Sequence, residues 1–259
     1  MKKINVLCYY LFASIGVAFL SSPATAQSVK KYTQNVEPQG ATSVQMQFTQ
    51  SAGTLKMSGG ATTHLMEGVF TMTNQAWKPE ISFTNQNNKG TLIVKQPGGK
   101  NVNMDDGDSN DWQVRLNNSI PMDMELTVGA GQSTVDLRNT KLSKLHLKAG
   151  AGDFTVNLAN TSVPTLDIDA GVGEMKLDLS GKWSNNLEAE INGGIGEITL
   201  KLPRKTGVRV KVNGLGSIGH EGFKKEEGYY VNESYKKTSS TLQIEINCGL
   251  GSVNLELEK

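Results

Sequence analysis

Leu145-His-Leu-Lys-Ala-Gly150-Ala-Gly152-Asp-Phe-Thr-Val156-Asn-Leu158 is the stretch that decides the fold. Leu145, Leu147 and Ala149 alternate with polar residues before a Gly-Ala-Gly triplet, and Phe154, Val156 and Leu158 alternate after it. A period of two marks a strand with one buried face, so the unit reads as two short half-buried strands joined at a glycine corner. Such a corner needs positive φ and close backbone approach, and a Cβ penalises both.

The unit recurs. Gly129-Ala-Gly131, Gly150-Ala-Gly152, Gly171-Val-Gly173, Gly194-Ile-Gly196, Gly214-Leu-Gly216 and Gly249-Leu-Gly251 follow one another at spacings of 21, 21, 23, 20 and 35 residues. Leu166, Ile168 and Ala170 repeat the inward parity before their triplet, as do Ala189, Ile191 and Gly193, and Ile244, Ile246 and Cys248. The fifth triplet is one residue short, yet Ile191 and Val212 remain 21 residues apart, so the deletion falls at the corner and preserves the register. Cys248 aligns with Ala149, Ala170 and Gly193, the small inward position before the corner, and reads as a packing residue.

These observations predict an all-β fold: a single-stranded β-helix, or solenoid, of about 21-residue coils with Gly-x-Gly corners, preceded by an N-terminal β segment. Stacked coils bury an apolar column that no single coil could bury alone. Taken in chain order, they leave Thr241 to Lys259 as the end of the stack. A nucleotide or phosphate loop would need a helix after the glycines, and here another strand follows.

The first residues point to export. Lys2 and Lys3 precede an apolar run from Ile4 to Leu20, and Ala24-Thr25-Ala26 supplies the small residues of a cleavage site, so 1–26 reads as a signal peptide. Tyr9, Tyr10 and Ser14 interrupt the run, which is shorter than the roughly 20 apolar residues of a membrane span. The mature chain is expected to hold no transmembrane segment and to reach the periplasm, the outer membrane or the exterior. Removing the leader takes Cys8 with it and leaves Cys248 alone, so packing and not a disulfide must supply stability. It also leaves 24 basic against 25 acidic residues, a net charge of −1 that gives no reason to expect nucleic-acid binding.

The mature chain divides into a β segment at 27–117 and solenoid repeats at 118–259 with an insertion at 219–240. In the first part Val44-Gln-Met-Gln-Phe48 and Thr54-Leu-Lys-Met57 flank Ser51-Ala-Gly53, a looser version of the same unit. Val69–Met72, Glu80–Phe83 and Gly90–Gln96 read as further strands. Ala52-Gly53-Thr-Leu-Lys-Met-Ser-Gly-Gly60, Glu67-Gly-Val-Phe70, Trp77-Lys-Pro79-Glu80, Gly90 to Gln96, Asp111-Trp-Gln-Val-Arg-Leu116 with Pro121, and the Gly-Ala-Gly triplets together resemble the bacterial toast-rack family. That family is related to the C-terminal domains of cell-wall-active antibiotic response proteins and to β-helical proteins grouped as adhesins. The resemblance implies an envelope-associated β-helical fold, partners that are undefined, and no catalytic residues to carry over. In the antibiotic-response relatives the domain follows membrane-spanning helices and acts in envelope-stress signalling; this chain carries a leader in their place.

Chemistry is sparse. His64, His146 and His220 share no spacing and assemble neither a metal triad nor a nucleophile with its base. Asp106, Asp108 and Asn110 alternate as calcium-loop ligands do, but Asp111 stands where the turn glycine belongs and Asn117 where a bidentate Glu belongs, so the expected reading is a polar linker and no metal. No cofactor is expected. The insertion gathers Phe223, Lys224, Lys225, Tyr229, Tyr230 and Tyr235, which either bind a partner or cover the end of the stack. The outward acids, Asp136, Asp153, Asp167, Asp169, Glu174, Asp178, Glu188, Glu190 and Glu197, alternate with lysines and threonines as a solvated face does. The expectation is a non-enzymatic, exported scaffold or adhesin-like module that binds an envelope protein or glycan. The alternatives are a soluble partner in envelope-stress sensing and an envelope glycan hydrolase, which would need acids gathered in one groove.

Overall fold

The computed structural model describes residues 28–61, 63–98, 104 and 107–259; the expected leader at 1–26 and Asp106 lie outside them. The described chain is all-β apart from one turn of 3-10 helix at Gln75–Trp77. Its strands are β1 (Lys30–Val36), β2 (Ser43–Ala61), β3 (Met66–Met72), β4 (Glu80–Gln86), β5 (Lys89–Lys95), β6 (Asn110–Asn117) and β7 (Met122–Asp136), followed by β8 (Leu142–Asn157), β9 (Thr165–Asp178), β10 (Leu187–Leu202), β11 (Gly207–Gly219), β12 (Lys224–Glu226), β13 (Tyr229–Val231) and β14 (Thr241–Leu257).

Each Gly-x-Gly unit is one long strand bent at its middle. β2, β7, β8, β9 and β10 lie parallel and in register, so that Ala52, Ala130, Ala151, Val172 and Ile195 form one row along the corner. β2 thus contributes the first bent strand of the stack through its Ser51-Ala52-Gly53 corner. Side chains on the inner face form a single apolar column, with Phe48, Leu126, Leu147, Ile168, Ile191 and Ile246 buried in successive layers.

The two glycines of a corner are required for different reasons. At Gly173 φ is 136°, a conformation that L side chains resist, and a Cβ would also run into the carbonyl oxygen of Gly152. At Gly171 φ is ordinary, and only the approach of the Gly150 carbonyl excludes a side chain.

The coil closes through a repeated turn after the second arm. Leu137 donates its N–H to the Asn157 carbonyl at 2.9 Å, and Leu158 and Leu179 donate theirs to Asp178 and Lys201 at 2.8 Å. Before each leucine stands an Asx residue, Asp136, Asn157 or Asp178, whose side-chain oxygen accepts the N–H two residues on at 3.3, 3.0 and 2.9 Å. The turns tie neighbouring coils together and bury Leu137, Leu158 and Leu179 against the column.

Chain order fails at the far end, which corrects the expectation that Thr241 to Lys259 closes the stack. β14 lies between β10 and β11, parallel to both, so β11 is the end coil. Ala189 and Val210 both face Ile244, and Ile191 and Val212 both face Ile246, so the expected register holds although the neighbours differ. The one-residue deletion also appears where expected, as a register shift between Gly214 and Leu215 that skips Gly249 of β14. The insertion folds over the end coil: β13 pairs antiparallel with Arg209 and Val210 of β11, and Phe223 and Tyr230 are buried at the end of the column.

Several outward acids are held ionised by the stack. The Arg138 side chain lowers the pKa of Asp136, a bond from Asn192 lowers that of Asp169, and Lys211 lowers that of Glu245. Burial opposes ionisation of Asp178, but bonds from Ser180 and Lys201 outweigh it and the pKa again falls. A carboxylate whose folded pKa lies below its unfolded value, about 3.9 for Asp and 4.3 for Glu, stabilises the fold above that value, and the contribution is lost as pH falls through the folded pKa. Melting temperatures should therefore hold steady down to about pH 5 and drop on further acidification, less steeply in Asp178→Asn. Equal melting temperatures at pH 5 and pH 3 would contradict this.

Candidate functional site

The side chains that sequence analysis singled out are dispersed. Asp108 accepts a bond from the Thr73 hydroxyl at 2.7 Å, while Asn110 is buried: its Oδ1 accepts from Trp112 Nε1 at 3.0 Å and its Nδ2 donates to the Ala52 carbonyl at 2.7 Å. Asn110 therefore serves the interior and does not face a loop ligand. Among the described residues no group of three or more metal-ligating side chains comes together, and no helix is long and apolar enough to cross a membrane.

In the insertion, the Arg209 guanidinium covers Tyr229 at 3.4 Å from the ring centroid, Lys225 lies 5.7 Å from the Tyr230 ring, and His220 stacks on that same ring at 4.9 Å. Lys236 pairs with Glu226 at 3.0 Å and lies over Tyr235, while Lys224 is exposed. Cys248 is half-buried beside the Asn213 carbonyl. The outward acids form cross-coil pairs, among them Lys144 with Asp167 at 3.0 Å and Lys201 with Asp178 at 2.9 Å. Glu174 and Glu197, paired across neighbouring coils, line one hollow at the corner.

A concavity of about 580 Å³ lies on the outer face of the N-terminal strands. β1, β3, β6, β2 and β7 run side by side there, and the pairing registers build two rows across them. One row is Thr33, Val69, Gln113, Lys56 and Thr134; the other is Asn35, Glu67, Arg115, Ser58 and Asp136. At the margin His64 stands between two carboxylates, with Nε2 3.3 Å from Glu37 and Nδ1 3.1 Å from Glu67. Glu67 also accepts from Arg115 Nη1 at 3.1 Å, and Arg115 Nη2 donates to the Gly60 carbonyl at 2.7 Å.

Sequence analysis found no shared spacing for His64 and left Glu67 and Arg115 unremarked as functional candidates. Glu37, the His64–Glu67 pair and Arg115 come from three separate segments, so no single spacing signals the whole cluster. The outward positions of Lys56 and Gln113 follow from period-two alternation, but their adjacency does not. The arrangement offers fixed donors and acceptors at strand spacing, which suits non-covalent recognition of an extended polar molecule.

The chain is a parallel stack of bent strands capped at both ends by antiparallel strands. Two overlapping segments, residues 25–165 and 145–201, match the family model described as the N-terminal domain of toast_rack, DUF2154, and the chain belongs to that family. Among solved structures it is similar to a "putative cell adhesion protein" from Clostridium sporogenes, with 30% identity, a TM-score of 0.69, and coverage of 89% of this chain and 100% of that one. A "putative adhesin" from Bacteroides fragilis matches at 12% identity and a TM-score of 0.31 over 88% of this chain and 97% of that one, too weakly to support an argument. No curated protein matches the chain.

Proposed function

We propose that this protein is an exported, non-enzymatic, adhesin-like binding module of the bacterial envelope, and that it takes an extended polar ligand, a glycan strand above all, on the outer face of β1, β3, β6, β2 and β7. The observation that carries this reading is the pair of rows held on rigid paired strands, with Arg115, Glu67 and His64 linked along the second of them. Its support is the likeness to a structure named for cell adhesion over that structure's full length. On this reading the leader at 1–26 is removed, 27–117 carries most of the recognition face, and the supporting solenoid at 118–259 completes it through β7. Rigid strands suit recognition, since little conformational freedom is lost on binding.

The test is binding of the purified protein to envelope glycans on an array and to isolated envelope fractions. Arg115→Ala with Lys56→Ala should weaken binding about tenfold or more, the effect of losing charge-assisted hydrogen bonds, without moving the melting temperature. Unchanged affinity in the double variant would remove the ligand from this face. Failure of the parent protein to bind any envelope fraction would remove the adhesin-like reading itself.

A further inference from the structure

The two ends of the stack are finished differently. At the N-terminal end both arms of β2 are covered: Ser43–Thr49 by β5, with β4 outside it, and Thr54–Ala61 by β6, with β3 and β1 outside that. At the other end β13 pairs only with Arg209 and Val210. From Lys211 to Gly219 the end coil has no backbone partner on its outer side among the described residues.

A free edge recruits other strands, and proteins ordinarily blunt it with charges, proline or a bulge. Here the one such guard is Lys211, at its margin. Val212 to Gly219 contains no charged residue and no proline, and at the irregular corner the extra residue, Gly249, belongs to β14. The apolar column is also unfinished here. Phe223 and Tyr230 are buried at this end of the column, but Val212, Ile218 and Leu257 are only partly buried. Outside the corner, the exposed row rises toward the same end, from Val172 at 55% and Ile195 at 56% to Leu250 at 60% and Leu215 at 73%.

We propose that this edge pairs with the same edge of a second copy, antiparallel about a two-fold axis through Leu215. The uncovered stretch, 211–219, has Leu215 at its centre. A two-fold along the bisector of the bend exchanges the two arms and sets Val212 opposite Ile218, Asn213 opposite Ser217, Gly214 opposite Gly216 and Leu215 opposite itself. Inward apolar residues meet inward apolar residues, outward polar meet outward polar, and glycine meets glycine where the backbones come closest. Lys211, the one charge in the window, falls opposite Gly219, so no like charges meet. Such an isologous contact closes at two copies and propagates no further. It joins the two columns and the two exposed leucine rows end to end, while β12 and β13 of each copy lie beyond the partner's Gly219, where that chain has left its strand. A foreign strand laid parallel across the bend would need glycine at both corner positions, as β7, β8, β9, β10, β11 and β14 all have.

Sedimentation velocity of the purified protein across a concentration series should show reversible dimers, and Leu215→Asp, at a solvent-exposed site, should reduce the mass from two chains to one with an unchanged melting temperature. In a Cys248→Ser background, Leu215→Cys should form an intermolecular disulfide on mild oxidation, because only a residue on the two-fold meets itself, whereas Ile195→Cys should not. A monomer at every concentration overturns the proposal. So does a dimer that survives Leu215→Asp, or one in which Leu215→Cys fails to cross-link. The cysteine pair decides the matter even if the aspartate variant misfolds, and glycan binding is independent of all these outcomes.

Discussion

Ile168→Asp should abolish folding. Ile168 is buried in the middle of the column, with Leu147 on one side and Ile191 on the other in the paired coils. An unpaired carboxylate there costs several kcal/mol, against a total stability of about 5 to 15 kcal/mol for an ordinary domain. In a solenoid the damage is not confined to one layer, because each coil is held mainly by its neighbours and a broken layer severs the stack. Far-UV circular dichroism should show loss of the β signal and of a cooperative melt. His146→Ala, in the neighbouring coil beside Leu147 but on the solvent face, gives up only a weak 3.4 Å contact with Asp169 and should stay within about 0.5 kcal/mol of the parent. Equal tolerance of the two substitutions would show that the inner face has been assigned to the wrong parity.

Gly173→Ala should destabilise nearly as clearly, although it adds a single methyl group. The backbone at Gly173 has φ of 136°, and the added Cβ would collide with the Gly152 carbonyl of the preceding coil. Strained φ alone costs about 1–3 kcal/mol, and the collision forces two coils apart that are otherwise in strict register. A melting temperature lower by about 5 °C or more is expected for a chain of this size. Val172→Ala, one residue away and exposed, should change little. If Gly173→Ala melted with the parent, the corner would be more pliable than its repeated glycines imply.

Much of this architecture was legible because it is local. Period-two alternation places Leu147, Ile168 and Ile191 inward whichever coils are neighbours, and the equivalence of Cys248 with Gly193 appears in the structure as a paired position. The corner glycines were legible for the same reason, since one stereochemical demand recurs in every coil. The Asx turns at Asp136, Asn157 and Asp178 were equally periodic, but their polar signal resembles any surface loop and was passed over. The outer face that holds Arg115 and His64 was not legible, because its two rows are built from strands dispersed between residues 30 and 136.

What the sequence by itself determined is therefore the coil: its two strands, its glycine corner, and which residues face inward. Which coil lies beside which was decided only by the tertiary structure. β10, β11 and β14 share one inward pattern and one register, so their edges do not discriminate among neighbours, and β14 returns between the other two. Contacts that no local pattern encodes accompany this choice: the Lys211–Glu245 pair at 3.0 Å, and Phe223 and Tyr230 covering part of the column's end from an insertion that leaves β11 at its far end.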